Sequence, residues 1–274
     1  MPLRLAPWGK SRYKGPQIRN KGPQPRMADP THQFVITPLL PLEVAGVDIS
    51  FTNSAAWMAL AAALSVWFLT AASGKGDLVP GRLQMAGEML YTFIAGMIRE
   101  NIGPRGREYF PLVFTVFVVV LLGNALGLIP WSFTYTSHII VTGALALLVF
   151  FTVTIIGIAR HGAAFFSLFV PPGVPWYLQF LVVPIEALSF LIRPVTLSVR
   201  LFINMMAGHL ILKVFAGFSA GLIGLGAVGF LAGLLPVAVN VAILALEALV
   251  AVLQAYVFAV LTCIYLKDTV DLHH

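Results

Sequence analysis

Long apolar runs, separated by short polar stretches, make up most of the chain after residue 53. A helix that crosses the hydrocarbon core of a bilayer needs about 20 mostly apolar residues, at a rise of about 1.5 Å per residue. Three runs meet this length, at residues 54–72, 109–129 and 138–159, and a fourth region, 174–266, is too long for one span. The pattern predicts an all-α polytopic membrane protein with about five transmembrane helices, in a single domain over residues 54–266.

Two stretches outside these runs mix polar and apolar positions. Residues 82–102 are apolar with interspersed charges, at Arg82, Glu88, Arg99 and Glu100. This mixture is typical of an interfacial amphipathic helix or a cytoplasmic loop. Residues 27–53 are expected to form an N-terminal segment on the outer side. Within it, prolines break the apolar residues of 32–42, so this piece is expected at the membrane interface.

The composition agrees with a bilayer, rather than water, as the solvent. The chain is 59% hydrophobic and 10% charged, and its mean hydropathy is +0.90. A soluble domain carries roughly 45–50% apolar and about 25% charged residues, so these values speak against a water-soluble enzyme. The single cysteine, Cys263, excludes an internal disulfide framework and a Cys-rich metal site. No metal or cofactor is predicted.

The formal net charge of +6 comes from the start of the chain. Seven of the 17 basic residues, and no acidic residue, precede Met27. The basicity therefore belongs to a tail, and it gives no sign of nucleic-acid binding. This tail, residues 1–26, is rich in proline and glycine, and we expect a disordered basic extension.

The distribution of Lys and Arg between the loops predicts the orientation in the membrane. No basic residue lies between Met27 and Ser73, whereas the loop 74–108 holds five: Lys75, Arg82, Arg99, Arg105 and Arg107. This places the N-terminus outside and the C-terminus, with a short tail over 267–274, in the cytoplasm. The charges of the extension conflict with an outer N-terminus. Two explanations stay open: translation starts at Met27, or the tail is translocated at an energetic cost.

Ionisable and amide side chains interrupt the apolar runs of the fourth region, at Glu186, Arg193, Arg200, Asn204, His209, Lys213, Glu247 and Gln254. A charged side chain at bilayer depth is costly, so it usually faces the protein interior, water or a partner. The first three of these residues are spaced by seven, as are Glu247 and Gln254, and a spacing of seven returns to nearly the same helix face. Two helices with one polar stripe each are predicted.

The two stripes can meet across an antiparallel hairpin. In such a hairpin, the numbers of two residues at the same level add up to a constant, which is twice the number of the turn residue. Pairing Arg200 with Gln254, or His209 with Glu247, puts the turn near residue 227. This position lies in a glycine-rich stretch, where the chain reverses easily. Arms over 184–217 and 236–266 would each be roughly 45–50 Å long against a hydrocarbon core of about 30 Å, so they must be strongly tilted. Pro236 would then lie in the first turn of the returning helix. The alternative is three or four upright spans broken at Pro194 and Pro236.

Two motifs carry a resemblance to a known family. Thr196-Leu-Ser-Val-Arg200-Leu-Phe-Ile-Asn204-Met-Met-Ala-Gly-His209, followed by Glu247 and by Leu253-Gln254-Ala-Tyr-Val-Phe, resembles subunit a of the membrane sector of F-type ATP synthases. Leu122-Gly-Asn124-Ala-Leu-Gly-Leu-Ile-Pro130 is similar to that family's second-span motif. The resemblance implies five spans, with the last two along a rotating ring of c subunits, an essential arginine at Arg200, and a peripheral-stalk b subunit as a further partner.

The residues of the stripes suggest separate roles. Arginine stays protonated in proteins, so Arg200 is a fixed charge and not a proton relay. By helix geometry Glu186 lies about 21 Å and Glu247 roughly 10 Å from it, so its carboxylate partner is inferred to belong to another chain, and the resemblance supplies one on the c ring. His209 and Glu247 can titrate near neutrality when buried together, which suits the outer half of a proton path.

Four amide and acid side chains complete the predicted path. Asn124 is expected to form a hydrogen-bonding wall near the outer half, and Asn204 shares the helix face of Arg200. Gln254 is expected to orient Arg200 by hydrogen bonding, or otherwise to join the two helices as a polar clasp. Glu186 is the candidate for proton release to the cytoplasm, with an interfacial carboxylate or a partner of Arg193 as the alternative.

The sequence therefore predicts a proton-channel stator subunit of an F-type ATP synthase in the inner membrane of a bacterium, or alternatively of an organelle. The runner-up is a stand-alone secondary transporter, but such folds usually contain two repeated halves, and residues 54–160 and 174–266 show no repeat. An intramembrane protease is not supported, because the chain has neither His-Glu-x-x-His nor Gly-x-Ser-x-Gly.

Overall fold

The computed structural model describes residues 35–40, 43–44, 47–48, 50–73, 81–129, 132–170 and 174–270. The predicted extension over 1–26 lies outside the described residues, as do the possible start at Met27 and the last residues of the tail. Six α-helices follow one another: α1 Asn53–Ala72, α2 Arg82–Asn101, α3 Phe110–Gly127, α4 Ile139–His161, α5 Trp176–Ile223 and α6 Ala227–Val270. Short 3-10 helices occupy Pro104–Tyr109, Tyr135–Ser137 and Gly162–Phe169.

Among the described residues, five helical stretches are long and apolar enough to cross a membrane, and they contain α1, α3, α4, α5 and α6. The sixth helix, α2, corresponds to the predicted interfacial amphipathic helix. It has an apolar face that buries Ile94, Met97 and Ile98, whereas most of its charged side chains are exposed. The predicted all-α polytopic membrane fold is therefore confirmed.

A small strand structure precedes α1. Strand β1, Pro38–Leu40, pairs antiparallel with β4, Phe51–Thr52, and β2, Glu43–Val44, pairs with β3, Val47–Asp48. Asn53 joins this structure to the helix, because its side chain accepts a hydrogen bond from Thr37 N and donates one to Val35 O. The described part of 32–42 thus continues from an irregular stretch into a paired strand.

The main core forms where α3 packs against α6. Alanines four residues apart on α6, at Ala251, Ala255 and Ala259, are buried with at most 2% of their surface exposed. Small side chains let two membrane helices approach closely, so α3 can bury Val113 and Val120 against this face. The contact holds α3 beside the middle of the last hairpin.

The hairpin of α5 and α6 is longer than predicted. With 48 and 44 residues, the two helices are about 70 and 65 Å long at 1.5 Å per residue, so a core of about 30 Å can contain them only at a strong tilt. Both helices run through their internal prolines, Pro184 and Pro194 in α5 and Pro236 in α6, which excludes upright spans broken at these residues.

The turn lies between Ile223 and Ala227, close to its predicted place, and Gly226 has a φ of 93°. The prediction that Pro236 opens the returning helix is wrong, because α6 already begins at Ala227. At the other end, α6 continues to Val270, so residues 267–270 of the predicted tail are helical.

The bundle has two distinct ends. At one end, Trp57 and Ala61 of α1 pack against Phe133 and Tyr135, which lie between α3 and α4. At the opposite end, two polar contacts tie the helices together: Arg160 Nη2 donates to Glu108 Oε2 at 2.6 Å, and His161 Nε2 lies 3.0 Å from Val270 O. The first of these ends, which carries β1–β4, is called the α1 end, and the second is called the base.

Candidate functional site

A buried couple of titratable side chains lies between α5 and α6. His209 is 7% exposed and Glu247 4% exposed, and His209 Nδ1 lies 3.3 Å from Glu247 Oε1. The other ring nitrogen, Nε2, lies 2.9 Å from the Thr134 hydroxyl oxygen. The two titratable residues therefore lie at one level of the hairpin, as their spacing predicted.

A glycine makes room for the carboxylate. A methyl carbon placed at Gly208 would lie 2.6 Å from Glu247 Oε1 and 2.8 Å from its carboxyl carbon. These separations are too short for non-bonded atoms, so any larger residue at this position would displace the carboxylate. Glu247 thus lies directly against the α5 backbone.

The segment between α3 and α4 is rich in hydroxyl groups and nevertheless buried. Its five hydroxyl-bearing side chains have at most 5% exposure: Ser132, Thr134, Tyr135, Thr136 and Ser137. It packs onto a glycine face of α3, where the Tyr135 hydroxyl fills the space beside Gly123 and the Thr134 methyl fills that beside Gly127. Burial raises the pKa of Tyr135 to about 12, so its phenol stays neutral. This packing places the Thr134 hydroxyl group next to the ring of His209.

Three amide side chains lie on α3, α5 and α6, the first of which packs against the hairpin that carries the couple. Asn124 of α3 is fully buried, and its Nδ2 donates to the carbonyl of Ala251, one turn beyond Glu247, at 3.3 Å. Asn204 Nδ2 donates to Gln254 Oε1 at 3.0 Å, which joins α5 to α6. Several buried polar atoms have no hydrogen-bond partner among the described residues: Asn124 Oδ1, Asn240 Oδ1, Gln254 Nε2 and both Glu247 oxygens. Glu247 Oε1 lies within ion-pair distance of His209 Nδ1, but the two atoms do not have hydrogen-bond geometry.

The structure does not place Gln254 as the orienting partner of Arg200. Gln254 is buried at 3% exposure and faces Asn204, whereas Arg200 lies on an exposed part of α5. Helices that pack at an angle do not keep paired residues at the same level along their whole length. The rule that paired residue numbers have a constant sum therefore holds near the turn and fails further away. The alternative interpretation, a polar clasp between the two helices, is the one observed.

Arg200 lies near the middle of α5 and its side chain is exposed. Within the described ranges, no carboxylate oxygen lies within ion-pair distance of its guanidinium group. Apolar side chains at nearby positions of α5, Ile192 and Ile203, are exposed as well. The charge is thus presented outward on an apolar surface.

Arg193, one heptad before Arg200, has an acid of its own chain. Its Nη1 donates to Asp268 Oδ2 at 2.8 Å, and its guanidinium group lies over the rings of Phe190 and Tyr265 at 5.6 and 5.2 Å. The alternative that Glu186 is the partner of Arg193 is therefore wrong, because the C-terminal extension of α6 brings Asp268 to it. Glu186 itself is half-buried, nearer the base.

The hairpin thus brings together His209 with Glu247 and Asn204 with Gln254, and α3 adds Asn124. It leaves Arg200 and Glu186 apart from these pairs. Sequence reasoning missed Thr134, Gly208 and Asp268. A run of hydroxyl side chains over 132–137 in an otherwise apolar chain was the available signal for Thr134, whereas the spacing rules carry no signal for a glycine that makes room for a side chain. In the described part of the chain, no three His, Cys, Asp or Glu residues cluster closely enough to hold a metal ion.

Comparison with known proteins agrees with this arrangement. The family model for the ATP synthase A chain matches residues 55–267. ATP synthase subunit a of Mesorhizobium japonicum is 54% identical over 90% of this chain and 98% of its own length. The subunits a of Rhizobium etli and Rhodospirillum rubrum are 56% and 53% identical, over 88% and 90% of this chain and 97% and 100% of theirs. The chain therefore belongs to the ATP synthase A chain family.

Proposed function

We propose that this multi-pass inner-membrane protein is the proton-channel stator of the ATP synthase membrane sector. In this role it lies beside a ring of c subunits and is held by the b subunit of the peripheral stalk. It offers two offset half-channels to carboxylates on the ring, and Arg200 separates them. Proton flow through the half-channels is thereby coupled to rotation of the ring and to ATP synthesis.

The observation that carries this proposal is the outward-facing charge of Arg200. A permanently protonated guanidinium group at bilayer depth requires a partner, and no described acid of this chain lies within ion-pair distance of it. The surrounding apolar face suits contact with another membrane helix. A carboxylate arriving on a c subunit would be attracted, kept ionised and released only by protonation, so a proton could not pass without rotation.

The outer half-channel is assigned to His209, Glu247 and Asn124. These residues lie toward the turn of the hairpin, which the proposed orientation puts on the outer side. Buried polar atoms without a protein partner require water, and the unpartnered oxygens of Asn124 and Glu247 provide sites for it next to the couple. A titratable pair in contact with such water can load a proton onto the ring.

The inner half-channel is assigned to Glu186. It lies fourteen residues before Arg200 on α5, toward the base, and it is half-buried. The Asn204–Gln254 clasp lies between the two half-channels and holds α5 and α6 together beside Arg200. In the proposed cycle, a proton enters through His209 and Glu247, neutralises a ring carboxylate, travels with the ring and leaves near Glu186. Each charge that crosses the membrane yields about 2.3 kcal/mol per 100 mV, so several are needed for one ATP.

Replacement of Arg200 tests the proposal. Arg200→Ala should abolish ATP-driven proton pumping by the complete complex in liposomes, because the ring carboxylate loses its counter-charge. The complex should still assemble, since Arg200 is exposed and makes no ion pair with a described acid. Acidification of the lumen, followed with a pH-sensitive dye, is the measurement.

Arg160→Ala is the matched control. Arg160 is also an arginine of a spanning segment, but it lies at the base and is paired with Glu108. This variant should pump at nearly the wild-type rate. Normal pumping by Arg200→Ala would refute the assignment. A secondary transporter, the other candidate, would move solute when the chain alone is reconstituted, whereas a stator without its ring would be inactive.

A further inference from the structure

The segment between α3 and α4 contributes one hydroxyl group to the buried couple of His209 and Glu247. Thr134 is 1% exposed, and its Oγ1 has two polar neighbours. It lies 2.9 Å from His209 Nε2 and 3.3 Å from the carbonyl oxygen of Gly127. The first neighbour belongs to the proposed proton path, and the second is a backbone group of α3.

The chemistry of the two neighbours differs. A backbone carbonyl only accepts a hydrogen bond, whereas an imidazole nitrogen donates when it carries a hydrogen and accepts when it does not. A threonine hydroxyl has one hydrogen and two lone pairs. When His209 Nε2 carries a hydrogen, Thr134 can accept it and direct its own hydrogen to Gly127. When Nε2 carries none, the hydroxyl can rotate and donate to it.

The side chain is held in place for this exchange. A methyl carbon at Gly127 would lie 2.7 Å from the Thr134 methyl group, so this methyl occupies the space that the glycine leaves free. Ser132 donates to the same carbonyl of Gly127 at 3.2 Å, which fixes the backbone before Thr134. Rotation of the hydroxyl hydrogen therefore requires no movement of heavy atoms.

We propose that Thr134 is a positioning residue that hydrogen-bonds His209 in both of its protonation states. The proton exchange with Glu247 takes place at Nδ1 and leaves a hydrogen on Nε2, from which Thr134 accepts a hydrogen bond. In the tautomer that keeps its hydrogen on Nδ1 instead, Thr134 donates to Nε2. Neither form leaves Nε2 unpaired, which is the costly outcome for a buried polar atom. The inference rests on the proposed function of this couple as a proton path. The charged groups that act on His209 are Glu247 from α6 and Lys213 from its own helix, while α3 and the adjoining segment contribute the neutral Asn124 and Thr134.

Thr134→Val removes the hydroxyl and keeps the shape of the side chain, and Thr134→Ser keeps the hydroxyl. The measurement is ATP synthesis by the complete complex in liposomes, driven by a potassium diffusion potential. It is repeated at a series of pH values in the lumen, which corresponds to the outer side of the membrane. Thr134→Val should lower the rate by about tenfold, since a hydrogen bond to a charged group is lost. It should also shift the pH profile to lower pH, because the charged imidazole loses a stronger hydrogen bond than the neutral imidazole does. Thr134→Ser should restore both the rate and the profile.

Thr142→Val is the matched control, since Thr142 has an equally buried hydroxyl that bonds Ser198 Oγ at 3.2 Å between α4 and α5, away from the couple. It should leave the pH profile unchanged. In a His209→Ala background, Thr134→Val should have no further effect. The inference is overturned if Thr134→Val keeps the wild-type rate and profile, if it lowers the rate with an unchanged profile, or if it adds a loss to His209→Ala.

If Thr134→Val does not assemble, Thr134→Ala, which also lacks the hydroxyl, takes its place with the same expected shift. If both His209→Ala and Arg200→Ala synthesise ATP at the wild-type rate, the proposed function fails and the inference fails with it. If these two variants are impaired and the hydroxyl-free variants are not, only the role of Thr134 is refuted.

Discussion

At the residue scale, the arrangement around Glu247 depends on what its neighbours lack. Gly208 has no side chain, and the carboxylate occupies the space that a methyl group would need. Both carboxylate oxygens are buried, and the imidazole of His209 lies 3.3 Å from one of them. Burial of a charge without a partner is costly, so the charged form of Glu247 depends on its distance from His209. A small displacement of this carboxylate should therefore change the proposed proton exchange with His209 more than it changes the fold.

Gly208→Ala tests this close approach. The added methyl group would force the carboxylate away from α5, and we expect proton pumping to fall by about tenfold while the complex still assembles, a loss comparable to one charge-assisted hydrogen bond. Pumping in liposomes is the measurement. Gly217→Ala is the matched control on the same helix, because nothing lies within 4 Å of a methyl carbon there. Equal rates for both variants would contradict a role for the close approach.

At the element scale, the register of the α5–α6 hairpin is defined by polar contacts at several levels. Ser219 Oγ donates to Gly233 O at 3.1 Å near the turn, the Asn204–Gln254 clasp lies toward the middle, and Arg193 pairs with Asp268 toward the base. Apolar helix faces can slide past one another in lipid, since there is no hydrophobic difference between helix and solvent. Directional contacts at separate levels oppose such sliding and keep Arg200 at a constant depth.

The base contact can be tested by a double-mutant cycle. Arg193→Gln and Asp268→Asn should each lower the apparent melting temperature of the purified complex, and the double variant should lose less than the sum. The ion pair is partly exposed, so we expect a coupling energy of about 1 kcal/mol. The exposed pair Arg160 and Glu108, changed to Gln in the same way, is the control and should show weaker coupling. Strict additivity at Arg193 and Asp268 would mean that the contact does not stabilise the hairpin.

At the scale of the whole molecule, if the five candidate spans of the described residues all cross the membrane, β1–β4 and the base lie on opposite sides of it. The basic loop 74–108 lies between α1 and α3, so the charge distribution favours the base on the cytoplasmic side. The amphipathic α2 belongs to that side too, because Gly87 of α2 packs against Ala72 at the end of α1. In this proposed orientation, the turn of the hairpin is the outer end of the proposed proton path.

Cysteine labelling tests the orientation. Val35→Cys and Ser167→Cys introduce thiols at exposed positions near β1 and near the base, and the native Cys263 is fully buried. A membrane-impermeant maleimide should label the first variant in spheroplasts and the second only in inverted vesicles. Labelling of both variants from the same side would exclude five spans in the proposed arrangement.

Much of the fold follows from sequence alone because the bilayer imposes a simple requirement. Backbone groups in lipid must be satisfied within the segment, so a long apolar run has to be a helix, and the length of each run sets the number of spans. The same reasoning applies to Arg200 and to the pair of His209 and Glu247, since ionisable residues in such runs are too costly to be incidental. Their spacing across the glycine-rich turn was enough to predict that His209 and Glu247 meet.

Only the tertiary structure decided the remaining contacts. Because α5 and α6 pack at an angle, Gln254 contacts Asn204 and not Arg200. Because α6 extends four residues beyond its predicted end, Asp268 contacts Arg193. Thr134 reaches His209 through a segment whose path depends on two glycines of α3. Periodicity determines which side of a helix is apolar, but the position of one side chain relative to another depends on packing angles and close backbone approach, which no single segment encodes.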